Sequence, residues 1–139
     1  MSSLKTTMSG YVGYRGREGQ IGFLLHRITG LGVVLFLAIH IVDTSLVYFN
    51  PRLYMEAIGI YQSTLFGLGE VALVFCVIYH GINGLRIAFF DLFAPRNWAI
   101  DRQRNSVRFT LTLALLLWIP ASVVMLRNLL INNFGLFGG

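Results

Sequence analysis

Three histidines, at positions 26, 40 and 80, are the residues of this sequence best suited to chemistry. His80 lies within an apolar run that begins near Phe66, and such a run is long enough to cross a bilayer, for which ~20 apolar residues are needed. An ionisable side chain at that depth costs about 2–3 kcal/mol or more unless it is paired, so it is a functional-site candidate by default. Neutral imidazole is a common iron ligand, and a haem held by two histidines takes them from opposite faces of its ring.

The depths of His40 and His80 bear on the number of haems. Measured from Arg27 and Arg86 as markers of the inner surface, His40 lies ~20 Å and His80 ~9 Å into the membrane at the rise of a helix. This offset favours two haems at different depths, each completed by a histidine from another chain. One haem held by His40 and His80 together is the alternative. Histidines that only hydrogen-bond backbone carbonyls are the interpretation without a cofactor.

Each of two helices places a glycine on the same face as a histidine. The first helix carries His26 and Gly30 on one face together with His40, and the second carries His80 and Gly84. A glycine lets a flat ligand or a neighbouring helix approach the backbone closely. Both faces are therefore predicted to line a cofactor site.

Two arginines accompany these faces. Arg27 and Arg86 are predicted to lie at one level near the inner membrane surface, beneath the intramembrane histidines. Guanidinium groups in that position suit an anionic cofactor whose carboxylates point toward the inner surface.

The elements that position these residues follow from composition. The chain has 139 residues, of which 55% are hydrophobic, 14% aromatic and only 12% charged, which is too apolar for a soluble domain of this size. Three continuous apolar runs favour helices over the alternating pattern of a membrane barrel. We predict an all-α integral membrane protein with one domain over residues 1–139. Its three transmembrane helices are expected at about 21–49, 66–92 and 107–131, after a cytoplasmic arm at 1–20.

The charges set the predicted orientation. The positive-inside rule places the N-terminus and the second loop in the cytoplasm and the C-terminus outside. The net charge of +5 follows this topology and forms no continuous run, which argues against nucleic acid as a partner. The basic residues on the cytoplasmic side are Lys5, Arg15, Arg17, Arg27, Arg96, Arg102, Arg104 and Arg108.

The remaining segments carry little predicted chemistry. The outer loop, Asn50 to Thr64, is expected to lie along the membrane interface, and Asp43 and Glu70 beside it are interpreted as interfacial, with proton conduction as a lesser alternative. The third helix is predicted to be lipid-facing and bent at Pro120. The sole cysteine, Cys76, excludes an intrachain disulfide.

Two motifs resemble a known family. The pattern His-Arg-x-Thr-Gly at 26–30 and the pattern His-x3-Gly-x-Arg-x4-Asp at 80–91 resemble those of the cytochrome b membrane-anchor subunit of succinate dehydrogenase, respiratory complex II. The resemblance covers roughly Tyr14 to Asp91. Each motif alone is weak, but both in order, at matching ends of two helices, are specific.

The resemblance implies a role for each residue. His80 would be an axial ligand of haem b, completed by a histidine of a second membrane-anchor subunit. His26 and Arg27 would lie beside the quinone pocket and the haem propionates, next to the iron–sulfur subunit, and Arg86 would reach a propionate. Asp91 would help fix the inner end of the helix. A flavoprotein subunit completes the implied partners, in a bacterial cytoplasmic membrane.

Three positions depart from the family pattern. Phe23 stands where many ubiquinone-reducing relatives have serine, so the implied quinone could be menaquinone. Ile87 replaces a second histidine that some members carry. His40 resembles the first-helix ligand of members with two haems.

The resulting hypothesis is a haem b-containing membrane anchor of succinate:quinone oxidoreductase. Electrons would pass from a flavin through iron–sulfur clusters to a quinone, and the isolated chain would catalyse nothing. The alternatives are a cytochrome b anchor of another quinone-linked dehydrogenase, or a structural or transport subunit without redox chemistry.

Overall fold

Four helices make up the part of the chain that the computed structural model describes, residues 18–93 and 100–135. Three of them are long and apolar enough to cross a membrane, and no strand occurs in the described ranges. The prediction of an all-α, multi-pass membrane protein is thereby confirmed. The helices are α1 (Glu18–Phe49), α2 (Pro51–Tyr61), α3 (Thr64–Phe93) and α4 (Ile100–Phe134).

The helices extend beyond their predicted ends. Helix α1 begins at Glu18, where the cytoplasmic arm was expected to continue, and α4 begins at Ile100 rather than near residue 107. Hydropathy marks only the part of a helix that lies in lipid, whereas arginine and glutamine also favour helix in water. The rest of the arm, 1–17, and part of the second loop, 94–99, lie outside the described residues.

The outer segment differs from the predicted loop because it forms a short helix, α2. The side-chain oxygen of Asn50 caps it by accepting a hydrogen bond from the amide of Leu53 at 3.3 Å, and Pro51 occupies the first turn. Asn50 followed by Pro51 is a sequence signal for a helix start, and the prediction of a loop missed it.

Helix α3 lies at the centre of the packing and contacts both α1 and α4. On its outer half the indole Nε1 of Trp118 in α4 donates a hydrogen bond to the carbonyl of Val71 at 2.9 Å. The Trp118 ring also meets Phe75 edge-on, with centroids 5.5 Å apart. Near the N-terminal end of α3, Gly67 lets the side chain of Leu129 in α4 approach the α3 backbone.

Helix α4 has a packed face in addition to the lipid-facing surface that was predicted for it. Four of its residues are buried, and they are spaced at three- to eight-residue intervals: Val107, Thr110, Ala114 and Ser122. By contrast, no residue of α1 from Leu31 to Phe49 is buried within this chain. Most of α1 is thus left to face lipid or another subunit.

Candidate functional site

His26 and His80 lie against each other where α1 crosses α3. Their imidazole rings are parallel, with an interplanar angle of 3° and centroids 4.1 Å apart. The structure therefore brings together two of the three predicted histidines, one from each motif.

The two motif glycines make this contact possible. A Cβ at Gly30 would lie 2.9 Å from Cε1 of His80, and a Cβ at Gly84 would lie 3.8 Å from Cε1 of His26. Each histidine thus packs over the glycine of the opposite helix. Of the two predicted uses of glycine, close approach of a neighbouring helix is the one observed.

A hydrogen bond fixes the tautomer of His80. Its Nδ1 lies 3.2 Å from the carbonyl oxygen of His26, which can only accept, so Nδ1 carries the proton. The lone pair of His80 then lies on Nε2. A backbone carbonyl bound to one ring nitrogen is the usual arrangement of a histidine whose other nitrogen binds a metal.

Two residues of this junction were not singled out from the sequence. Tyr79 is 1% exposed, and its hydroxyl donates a hydrogen bond to the carbonyl of Gly22 in α1 at 3.3 Å. Asn83 is also 1% exposed. The signal that could have found them is a polar side chain repeated four residues apart within an apolar run.

The two arginines lie within about one helical turn of each other. Because Gly30 lies opposite His80 and Gly84 opposite His26, the antiparallel register puts Arg27 near Asn83, three residues or about 4.5 Å from the level of Arg86. Arg27 is exposed.

The two guanidinium groups also have different surroundings. The Cζ of Arg27 lies 5.5 Å from the centroid of the Phe23 ring. Arg86 is half-buried and lines a cavity of about 730 Å³ between α3 and α4, together with Phe89, Ser106 and Phe109. The two arginines thus have different surroundings, and their joint binding of an anionic cofactor stays a prediction.

His40 stands apart from the other two histidines. It lies fourteen residues beyond His26, or about 21 Å along α1, and its ring stacks on Phe36 at 5.3 Å. The His80 ring stacks on His26 and lies over Gly30, which is ten residues or about 15 Å short of His40. His40 and His80 of one chain therefore cannot bind a single iron, for which metal–nitrogen bonds of about 2 Å are needed.

His40 lines a groove of about 600 Å³ on the outer half of the protein, between α1, α2 and α3. The lining is mainly apolar, with glycines at 32 and 69 and the carboxyl groups of Asp43 and Glu70. Among the described residues no three histidine, cysteine or acidic side chains cluster as a metal site.

At the outer end of this groove the Tyr61 hydroxyl donates a hydrogen bond to the carboxylate of Asp43, which joins α2 to α1. This bond is the main cause that raises the pKa of Tyr61 above its ordinary value, and partial burial and the negative charge of Asp43 add to the shift. The sequence predicted an interfacial Asp43 but not its partner.

Three membrane-spanning helices with a paired-histidine junction define an integral, multi-pass membrane subunit. The family model described as the succinate dehydrogenase/fumarate reductase transmembrane subunit matches residues 13–123, so the chain belongs to this family. It is also 32% identical over 114 residues to the succinate dehydrogenase 2 membrane subunit SdhC of Mycobacterium tuberculosis (strain ATCC 25618 / H37Rv), covering 81% of this chain and 80% of that protein. The family predicted from the two motifs is confirmed.

Proposed function

We propose that this chain is the haem b-containing membrane anchor of a succinate:quinone oxidoreductase. It attaches the flavoprotein and iron–sulfur subunits to the membrane and forms part of the quinone-reduction site. The observation that supports the proposal is the hydrogen bond between His80 Nδ1 and the His26 carbonyl, which leaves Nε2 of His80 unprotonated and able to bind a metal.

The second ligand of this haem comes from another chain. His26 cannot supply it, because the two imidazoles are stacked face to face and their lone pairs lie in the ring planes. A histidine of the second membrane-anchor subunit completes the site. The bound haem supplies a one-electron carrier, and this chain sets the orientation of the ligand and its low-dielectric surroundings.

His40 is proposed to hold a second haem in the outer groove. The groove has the volume range of a cofactor site, and Gly32 and Gly69 reduce the bulk of its walls. The separation of about 21 Å along α1 supports two haems rather than one. Its second ligand also belongs to another subunit.

The quinone site lies at the His26 end of α1, where Arg27 is exposed and free to meet the iron–sulfur subunit. Arg27 binds the quinone oxygen, whose negative charge grows during reduction. Phe23, in the position of a hydroxyl donor in many relatives, favours menaquinone. The chain does no chemistry on succinate itself.

The test is the haem content of the intact complex, measured by reduced-minus-oxidised spectra. His80→Ala is expected to abolish one haem, and His40→Ala to remove a second while sparing the first. Unchanged haem content in the His40 variant would overturn the two-haem proposal. No b-type band in the wild-type complex would favour a structural or transport subunit, and a b-type band without succinate oxidation would favour another quinone-linked dehydrogenase.

A further inference from the structure

A group of buried polar atoms beside the histidine pair has no partner in the part of the chain that the structure describes. The atoms are Nδ1 of His26, the amide nitrogen Nδ2 and oxygen Oδ1 of Asn83, and Nε of Arg86. Leaving one such group unbonded costs about 1–3 kcal/mol, so several together require an explanation.

These atoms belong to two helix faces that meet. Asn83 and Arg86 are three residues apart and share a face of α3 with Tyr79. Tyr79 hydrogen-bonds Gly22, which lies four residues before His26 on α1. Gly84, against which the His26 ring packs, lies between Asn83 and Arg86 on α3.

The mixture of atoms identifies the ligand class. Arg86 Nε and Asn83 Nδ2 can only donate hydrogen bonds, whereas Asn83 Oδ1 can only accept them. A carboxylate accepts but does not donate, so it would leave Asn83 Oδ1 unbonded. Water both donates and accepts, and buried waters typically bond two to four polar groups. A cavity borders Arg86 on its α4 side, where Ser106 and Thr110 also line it. Asn83 and His26 do not line this cavity, so the group of unbonded atoms lies beside it.

We infer that Asn83, Arg86 and His26 enclose a site for one or two ordered water molecules. The water holds the imidazole of His26 in the orientation that stacks on His80. Asn83 is therefore a positioning residue, since it acts on the proposed haem ligand through His26. This positioning role rests on the proposed function, whereas the water site does not.

The first test is a structure of the intact complex at a resolution that shows water. Density is expected within about 3 Å of Asn83 and Arg86, bridging them to His26. Empty space there, or a carboxylate group in its place, overturns the proposal.

The second test is a pair of substitutions at Asn83, followed by heat dissociation of the complex. Asn83→Leu is expected to lower the dissociation temperature by several degrees, because it removes the water and leaves Arg86 and His26 unbonded. Asn83→Ser, which replaces the amide with a hydroxyl that can also donate and accept and makes room for a further water, is expected to stay near the wild type. If the Asn83 amide has no hydrogen-bond partner, water included, Asn83→Leu would replace an unsatisfied buried polar group with an apolar one. The dissociation temperature would then rise, and this result would overturn the proposal.

The positioning role has its own measurement, the electron paramagnetic resonance spectrum of the oxidised haem. Asn83→Leu is expected to shift the low-spin g values, and Asn83→Ser to shift them less. Bridging water together with unchanged g values in both variants would retain the water site and overturn the positioning role.

Discussion

His26 and His80 pack as a reciprocal pair, in which each ring lies over the glycine of the other helix and the two rings stack 4.1 Å apart. The backbone of His26 also holds Nδ1 of His80. The proposed haem ligand is therefore oriented by the residue proposed to lie beside the quinone. We therefore expect a substitution of either histidine to alter the orientation of the other ring.

Because Gly30 packs against His80, adding a single methyl group at this position is expected to destabilise the complex. In Gly30→Ala the new Cβ would lie 2.9 Å from the His80 ring, which is held by stacking on His26 and by the hydrogen bond to the His26 carbonyl. Overpacking of this kind costs about 1–3 kcal/mol. We expect a lower dissociation temperature of the complex and a displaced haem absorption band.

Gly81→Ala is the matched control, since nothing lies within 4 Å of its added Cβ. In this variant the better helix propensity of alanine, about 1 kcal/mol, should leave the complex as stable as the wild type or more so. Equal behaviour of the two variants would contradict the packing described for Gly30.

Arg27→Ala is expected to impair quinone reduction while haem is retained. Loss of a hydrogen bond from a charged group corresponds to about 1.5–3 kcal/mol, or roughly tenfold or more in kcat/KM for the quinone. Arg52→Ala is the control, because Arg52 is exposed at the opposite end of the protein and pairs with Glu56 at 3.4 Å. Normal quinone reduction in Arg27→Ala would move the pocket elsewhere.

Tyr61→Phe is expected to destabilise the outer end by about 0.5–1 kcal/mol, because it removes a part-buried hydrogen bond to Asp43. The raised pKa of Tyr61 means that the folded protein favours the neutral phenol. The stabilisation is therefore fully present below the ordinary pKa of 10.0 and is lost as the pH rises through the raised value.

The measurement is the difference in melting temperature between wild type and Tyr61→Phe at pH 8 and at strongly alkaline pH. The difference should shrink as the phenol ionises. Tyr48→Phe serves as the control, since Tyr48 is 85% exposed. A difference that stays constant with pH would show that Asp43 does not interact with the hydroxyl.

Some parts of the structure could be predicted from the sequence and others could not, depending on whether hydropathy or only a local capping signal marked them. Hydropathy located the three spans within a few residues, because ~20 apolar residues can be satisfied in lipid only as a helix. Hydropathy did not detect α2 or the first turns of α4, because the first is short and the second is polar. Such segments are marked by local sequence features instead, such as the helix cap at Asn50.

The sequence by itself determined the number and type of the spanning elements, and its two motifs indicated the family, because both depend on residue type and spacing along one chain. Only the tertiary structure decided the register between helices. It placed His80 over Gly30 and against His26, gave Arg27 and Arg86 different surroundings and buried Asn83. The physical reason is that two apolar helices can slide past each other at little cost in hydropathy, whereas close packing over glycine and one hydrogen bond select a single arrangement.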